Sequence, residues 1–209
     1  MHVYNRTPPV ERQLAFMRAV FASGTPSFGS CAGLQIAVAA TGGTVRRMPE
    51  RLEAGISRRI IRTAAGQGHP LLAGRPAAWD APALHGDEIE ELPDCAVLLA
   101  GNAITPVQAA EIRHGRGIFW GVQYHPELAI GEIAAALRRE SDALIEAGLA
   151  EDAADMEDMA VRLDRLHRNP SSRAARWQLG VDGQFADEES RRTELLNFIA
   201  AIPRLDNRR

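Results

Sequence analysis

The sequence predicts an α/β fold, a sheet covered by helices, with a mostly helical last third. Three observations carry that prediction. Ahead of Ile130, apolar runs of strand length alternate with stretches of helical periodicity, the pattern of a sheet with helices laid against it. Two strand signals run straight into compact turns, Gly29-Ser30-Cys31-Ala32-Gly33 and Tyr124-His125-Pro126-Glu127. From Ile130 onward, apolar residues recur only at helical spacing.

Taken in order, Pro9 to Ala22 reads as an amphipathic helix. Leu14, Met17 and Phe21 share a face, Arg12 lies opposite and Arg18 sits at the edge of the stripe. Gly24 and Pro26 end it. Ser27-Phe28 is a very short strand signal before the glycine-framed cysteine, and Leu34 to Ala40 is a helix that stops at Gly42-Gly43. Ile56 to Thr63 reads as a strand with Ile56, Ile60 and Ile61 as its apolar members. Gly66 to Pro82 is rich in Gly and Pro and reads as loop and turn. Cys95 to Ala100 is a buried-strand candidate, Val107 to Arg113 fits either a strand or a short helix, and Ile118 to Tyr124 is a clearer strand. Beyond it, Ile130, Ile133, Ala134, Leu137, Leu144 and Ile145 form one helical stripe; Met156, Met159, Leu163 and Leu166 form a second, closed by Asn169-Pro170. Trp177 and Leu179 lead to a helix stop at Gly180, and Leu195, Leu196, Phe198 and Ile199 make a last helix ended by Pro203.

A chain of 209 residues suits one domain, or one domain with an appendage, and buries a sizeable core without metals or disulfides. A net charge of −3 leaves no basic footprint for nucleic acid and no polybasic patch for a membrane surface. No apolar run approaches the length of a membrane span. The polar, proline-bearing start from Met1 to Pro9 is unlike a secretory signal. With only two cysteines, this points to a reducing compartment, the cytoplasm.

Gly29-x-Cys31-x-Gly33 has the form of a nucleophile elbow. A sharp strand-to-helix turn needs tiny flanking residues, exposes the sulfur at a helix N-terminus, and aims the following N–H, that of Ala32, at a developing oxyanion. A buried structural cysteine beside a glycine-rich turn is the bland alternative. Cys95, in Leu92-Pro93-Asp94-Cys95-Ala96-Val97, lacks the glycine frame and reads as structural.

A thiol nucleophile needs a base, and the base an orienting partner. His125 follows a strongly apolar strand, so it sits where strand ends gather in a parallel sheet. Glu127 lies two residues on, with Pro126 stiffening the link. His85, in His85-Gly86-Asp87, reads equally as structural or substrate-adjacent; His2, His69, His114 and His167 read as solvated. No His and Cys grouping has metal-ligand spacing, and no cofactor is expected.

Together these motifs resemble the class I glutamine amidotransferases, in the branch of the GMP synthase glutaminase. Pro26 to Gln35 resembles the family's elbow, Gly42-Gly43 its glycine pair, Glu53-x-Gly55 its acidic-glycine signature and His85-Gly86-Asp87 its His-x-Asp loop. Gly121 to Glu127 is similar to its terminal motif. The resemblance runs from Pro26 to Glu127. It implies a flavodoxin-like open sheet, and hydrolysis of the glutamine side-chain amide by Cys31, His125 and Glu127 through a γ-glutamyl thioester. It makes Gln35, Ala32, Gly29 and Gly33 the substrate-holding residues. It also implies an ammonia acceptor on a synthase domain or subunit. Only 30 residues precede Cys31, less than the family's strands, helix and oxyanion loop require, so the domain reads as N-terminally short, with His2-Val3-Tyr4 resembling the tail of that loop. The expected division is a catalytic domain over 1–136 and a helical extension over 137–209. No lysine occurs, so no phosphate-binding loop of the Gly-rich Lys-Ser/Thr type supplies a synthase activity. Two other readings keep the fold: a γ-glutamyl peptidase or hydrolase, and a non-catalytic interaction protein whose helical tail binds a partner.

Overall fold

In the computed structural model, which describes residues 2–49 and 52–206, helix α1 (Pro8–Ser23) opens on two prolines and closes at Gly24 in a left-handed conformation. Proline suits a first turn because the N–H it lacks has no partner there. Strand β1 (Ser27–Ser30) leads through Cys31 into α2 (Ala32–Ala40). Then come β2 (Thr44–Arg47), β3 (Glu53–Arg62), the short α3 (Ala64–Gln67), β4 (Ala78–His85), β5 (Asp87–Glu91), β6 (Ala96–Gly101), β7 (Ala109–His114) and β8 (Gly117–Val122). Helices follow: α4 (Ile130–Arg139), α5 (Ser141–Glu146), α6 (Ala153–Arg168), α7 (Arg173–Leu179), α8 (Gly183–Ala186), α9 (Glu188–Arg191) and α10 (Thr193–Asp206).

The main sheet is six-stranded in the order β1-β8-β7-β6-β3-β4, and a two-stranded sheet joins β2 to β5. It is an open α/β sheet, as expected. It is also mixed: β1 and β8 pair in parallel, and the other pairs run antiparallel. Alternate residues of β8 feed the two faces. Phe119 packs with Phe21, Leu34 and Val38 beneath α1 and α2. Trp120 packs on the other side with Leu71, Leu72, Tyr124, Ala201 and Leu205 beneath α10. A third cluster joins Ile133, Leu137, Leu163, Leu166 and Phe185 of the C-terminal helices to Ala54 and Ile56 of β3. Ala136 lies within α4, so that helix carries the chain from the sheet into the helical extension.

Several elements differ from expectation. The Gly66–Pro82 stretch is not all loop, since β4 begins at Ala78 and contains Pro82. β4 is an edge strand, where a missing ladder N–H is tolerated. The small sheet of β2 and β5 lacks apolar alternation. It is held by Val45 opposite Ile89 and by the Arg46–Glu88 pair at 2.9 Å, an opposite-charge match across strands. Val107 to Arg113 resolves as strand β7, joined to β8 by a tight turn at Gly115, whose φ is 57°. Helix α10 continues past Pro203 to Asp206. His69 is not solvated; it is largely buried against Glu111 at 3.2 Å and edge-on to Trp120.

Candidate active site

The parallel pair β1–β8 positions the site. Their register sets Ser30 opposite Val122, so Cys31 and the segment 123–127 leave the same end of adjacent strands. The Cys31 N–H still donates to the Val122 carbonyl at 2.8 Å, which ties the elbow to the strand that carries His125. Cys31 has φ 47° and ψ −106°, a strained backbone for a residue with a Cβ. Gly29 permits it: a Cβ there would lie 3.0 Å from the Gly33 Cα and 3.0 Å from Phe119. Gly121, opposite Gly29, is equally closed, at 2.6 Å from Phe119 and 2.9 Å from Leu34. These two glycines let α2 settle directly on β1 and β8. Gly33 differs from the expectation of a clash, because a Cβ there would meet nothing within 4 Å. Its smallness keeps space open instead. Ala32 is the first residue of α2.

His125 donates its backbone N–H to the Pro82 carbonyl at 2.8 Å, so the edge strand β4 helps fix it. Its Nδ1 lies 2.7 Å from Glu127 Oε1, and the Ser30 hydroxyl donates to the same oxygen at 2.9 Å. The Cys31 thiol lies near enough to the ring to bear on its pKa. Burial disfavours the charged ring, but the hydrogen bonds and charges of Cys31 and Glu127 outweigh it and raise the His125 pKa from 6.5 to about 9. For Glu127, burial raises the pKa, and the His125 and Ser30 bonds help hold it below the ordinary carboxylate value. The three predicted catalytic residues are therefore brought together, with the tautomer of His125 governed by Glu127.

Gln35 is buried one turn into α2. Its Nε2 donates to the Asp87 carbonyl at 3.2 Å and to Gln123 Oε1 at 3.3 Å. The Asp87 carbonyl also bonds His85 Nδ1 at 3.0 Å, and His85 Nε2 reaches Glu53 Oε2 at 3.0 Å. Glu53 accepts further bonds from Ser57, Asn102, Thr105 and Gln108 at 2.7–2.9 Å. Burial opposes its charge, yet these bonds lower its pKa to about 2. His85 thus serves inside a buried network that steadies Gln35. The Asp87 carboxylate also bonds His2 at 2.8 Å and Tyr4 at 3.3 Å. Cys95 stands apart, its sulfur 4.0 Å from His114. Ser30 and Glu53 were not singled out as site residues by reasoning on the sequence; the position of Ser30 beside the nucleophile was its only signal. Among the described residues, no group of three or more His, Cys, Asp or Glu is placed to hold a metal, and no helix is long and apolar enough to cross a membrane.

The family model for glutamine amidotransferase class-I matches residues 3–141. The chain belongs to the class I glutamine amidotransferases. It is 43% identical over 152 residues to a gamma-glutamyl-L-1-hydroxyisopropylamide hydrolase of Pseudomonas sp, covering 70% of this chain and 50% of that protein. It is 34% identical over 113 residues to a glutamine-hydrolyzing GMP synthase of Leifsonia xyli, covering 54% of this chain and 22% of that one. The chain thus spans half the length of the first relative and less than a quarter of the second. A glutamine amidotransferase of Thermotoga maritima shares the fold with a TM-score of 0.65 at 16% identity, over 95% of this chain and 74% of that one. The Cys31 turn, His125 and Glu127 of this chain lie within the span that the family model matches, whereas α6 to α10 lie beyond it.

Proposed function

We propose that the chain hydrolyses a γ-glutamyl side-chain amide, with glutamine the simplest substrate. The observation that carries this reading is the strained Cys31 at the start of α2, tied to the end of the strand that delivers a His125 ring held by Glu127. His125 takes the thiol proton to become an imidazolium, and the thiolate of Cys31 then attacks the amide carbon. The Ala32 N–H receives the oxyanion, a donor geometry typically worth 100-fold or more in rate. His125 then protonates the departing ammonia, leaving a γ-glutamyl thioester. Water, deprotonated by His125, attacks the thioester and releases glutamate. Glu127 keeps the ring in the required tautomer. Gln35 holds the substrate's glutamyl part and Gly33 leaves room for it, while Gly29, expected to hold substrate, instead lets α2 pack on β1 and so shapes the turn that presents the thiol. The assigned residues all lie within 1–136, the catalytic unit; 137–209 walls the sheet. Ammonia passes to an acceptor on a synthase partner subunit, in a reducing cytoplasm that keeps both thiols free.

The 43% identical hydrolase favours a second reading of the same chemistry, in which the leaving group is an alkylamine and the product is simply released. Both are tested by glutamate release from glutamine and from a γ-glutamyl alkylamide, in the wild type and in Cys31→Ser. Loss of all turnover in Cys31→Ser is expected, and the faster substrate names the leaving group. No glutamate from either amide, with or without a synthase partner, overturns the proposal.

A further inference from the structure

We propose that Glu194, on the last helix, is a positioning residue for His125 and acts through the Tyr124 hydroxyl. The inference rests on the catalytic reading of His125. The strand β8 ends at Val122, so residues 123–125 carry the base beyond the regular ladder. Beyond the Gln35 contact to the Gln123 side chain, three bonds to three separate parts of the chain hold that segment. The Gln123 N–H donates to the Gln108 carbonyl at 2.9 Å and the His125 N–H to the Pro82 carbonyl at 2.8 Å. The third comes from a side chain: Tyr124 Oη donates to Glu194 Oε1 at 2.8 Å. Tyr124 and Glu194 are both fully buried, and the acceptor is a carboxylate, which makes this the charge-assisted bond of the three.

Glu194 is itself fixed from behind. Arg75 reaches its two oxygens from Nε and Nη2, at 2.6 Å each, and donates to the Arg191 carbonyl at 3.0 Å. Asn197, one turn on, bonds the carbonyls of Leu71 and Ala73 at 2.9 and 2.8 Å. The helix is therefore locked to the loop ahead of β4, and the Tyr124 ring is clamped edge-on against Trp79. Glu194 lies outside the family-matched span of 3–141, so a segment beyond that span completes the support of the base. The titratable groups that act on the His125 ring are Cys31, from the start of α2, and Glu127, from its own loop. A loosened Tyr124 would let the ring drift from both.

Tyr124→Phe tests this, because it removes the bond and leaves the Arg75–Glu194 pair intact. Glu194→Asp is the second variant, shortening the reach while keeping the charge that Arg75 needs. The readout is alkylation of Cys31 by iodoacetamide at pH 7, followed on the Cys31 and Cys95 peptides by mass spectrometry. It needs no substrate, so it stands even if glutamine hydrolysis fails. Cys31 alkylation is expected to slow about fivefold while Cys95 is unchanged, since the rate follows thiolate held by the imidazolium. Where turnover is measurable, kcat falls about tenfold with KM nearly constant, the mark of a misplaced base. A fall in melting temperature with the Cys31 alkylation rate unchanged in both variants overturns the proposal and leaves Glu194 a structural residue.

Discussion

Glu127 Oε1 receives both the His125 ring and the Ser30 hydroxyl, so one oxygen joins the base to the residue before the nucleophile. Because Cys31 and Glu127 hold the His125 pKa at about 9, the ring is protonated at neutral pH and can serve as the acid for the leaving amine. Glutamate release is therefore expected to fall as pH rises through about 9. Glu127→Gln removes one of the two groups that hold that value up. It is expected to move the alkaline limb to lower pH and to cut kcat by about 100-fold at little cost in KM; a pH–rate profile of both proteins checks it. An unmoved limb would mean that Glu127 does not govern the ring. At this scale the sequence was most legible. Cys31, His125 and Glu127 stand out in combination, a glycine-framed cysteine with a strand-end histidine and its acid, where each alone reads as readily as structural. Ser30 does not, since a serine beside a cysteine is ordinary until the register of β1 on β8 brings it to Glu127. Glu53 stood out only as part of a resemblance and His85 read equally as structural or substrate-adjacent, because their roles depend on five parts of the chain meeting in one network.

The turn from β1 to α2 shows what an element demands of its residues. Gly29 and Gly33 look equivalent in sequence, each two residues from Cys31, yet the structure separates them. Gly29→Ala places a methyl 3.0 Å from backbone at Gly33 and from the Phe119 ring. It is expected to destabilise the protein by about 1–3 kcal/mol through overpacking. Gly33→Ala meets no atom within 4 Å and gains about 0.5–1 kcal/mol of helix preference over glycine. Its melting temperature should hold or rise, while its methyl narrows the space over the thiol and raises KM. Thermal melts and kinetics on the pair check this, and equal destabilisation of both variants would refute the packing account. Strands were legible where they were apolar, as in β8. They were hidden where other forces hold them: β4 carries Pro82 at a sheet edge, and β2 and β5 are matched by charge.

Across the whole molecule, three titratable groups set a window of stability. Glu53 locks β3 to the 102–108 segment, and Glu111 ties β7 to His69 and Trp120. In both, burial opposes the charge and the hydrogen bonds win, lowering the pKa from 4.5 to about 2. A depressed carboxylate contributes stability that is fully present above its unfolded value and is lost as pH falls through the folded one. The acid loss therefore runs from 4.5 down to about 2. His125 has the opposite sign: its raised pKa contributes fully below 6.5 and is lost as pH rises through about 9. Each shift is worth on the order of 3 kcal/mol. The urea midpoint is accordingly expected to plateau between 4.5 and 6.5 and to decline on both sides. His125→Gln should flatten the alkaline decline and take from the acid one only the share that Glu127 owes to His125, because Glu53 and Glu111 belong to networks that do not include His125. If the variant loses both arms together, the site and the two carboxylates are not independent, and the helices behind the sheet couple them more tightly than these separate hydrogen-bond networks require.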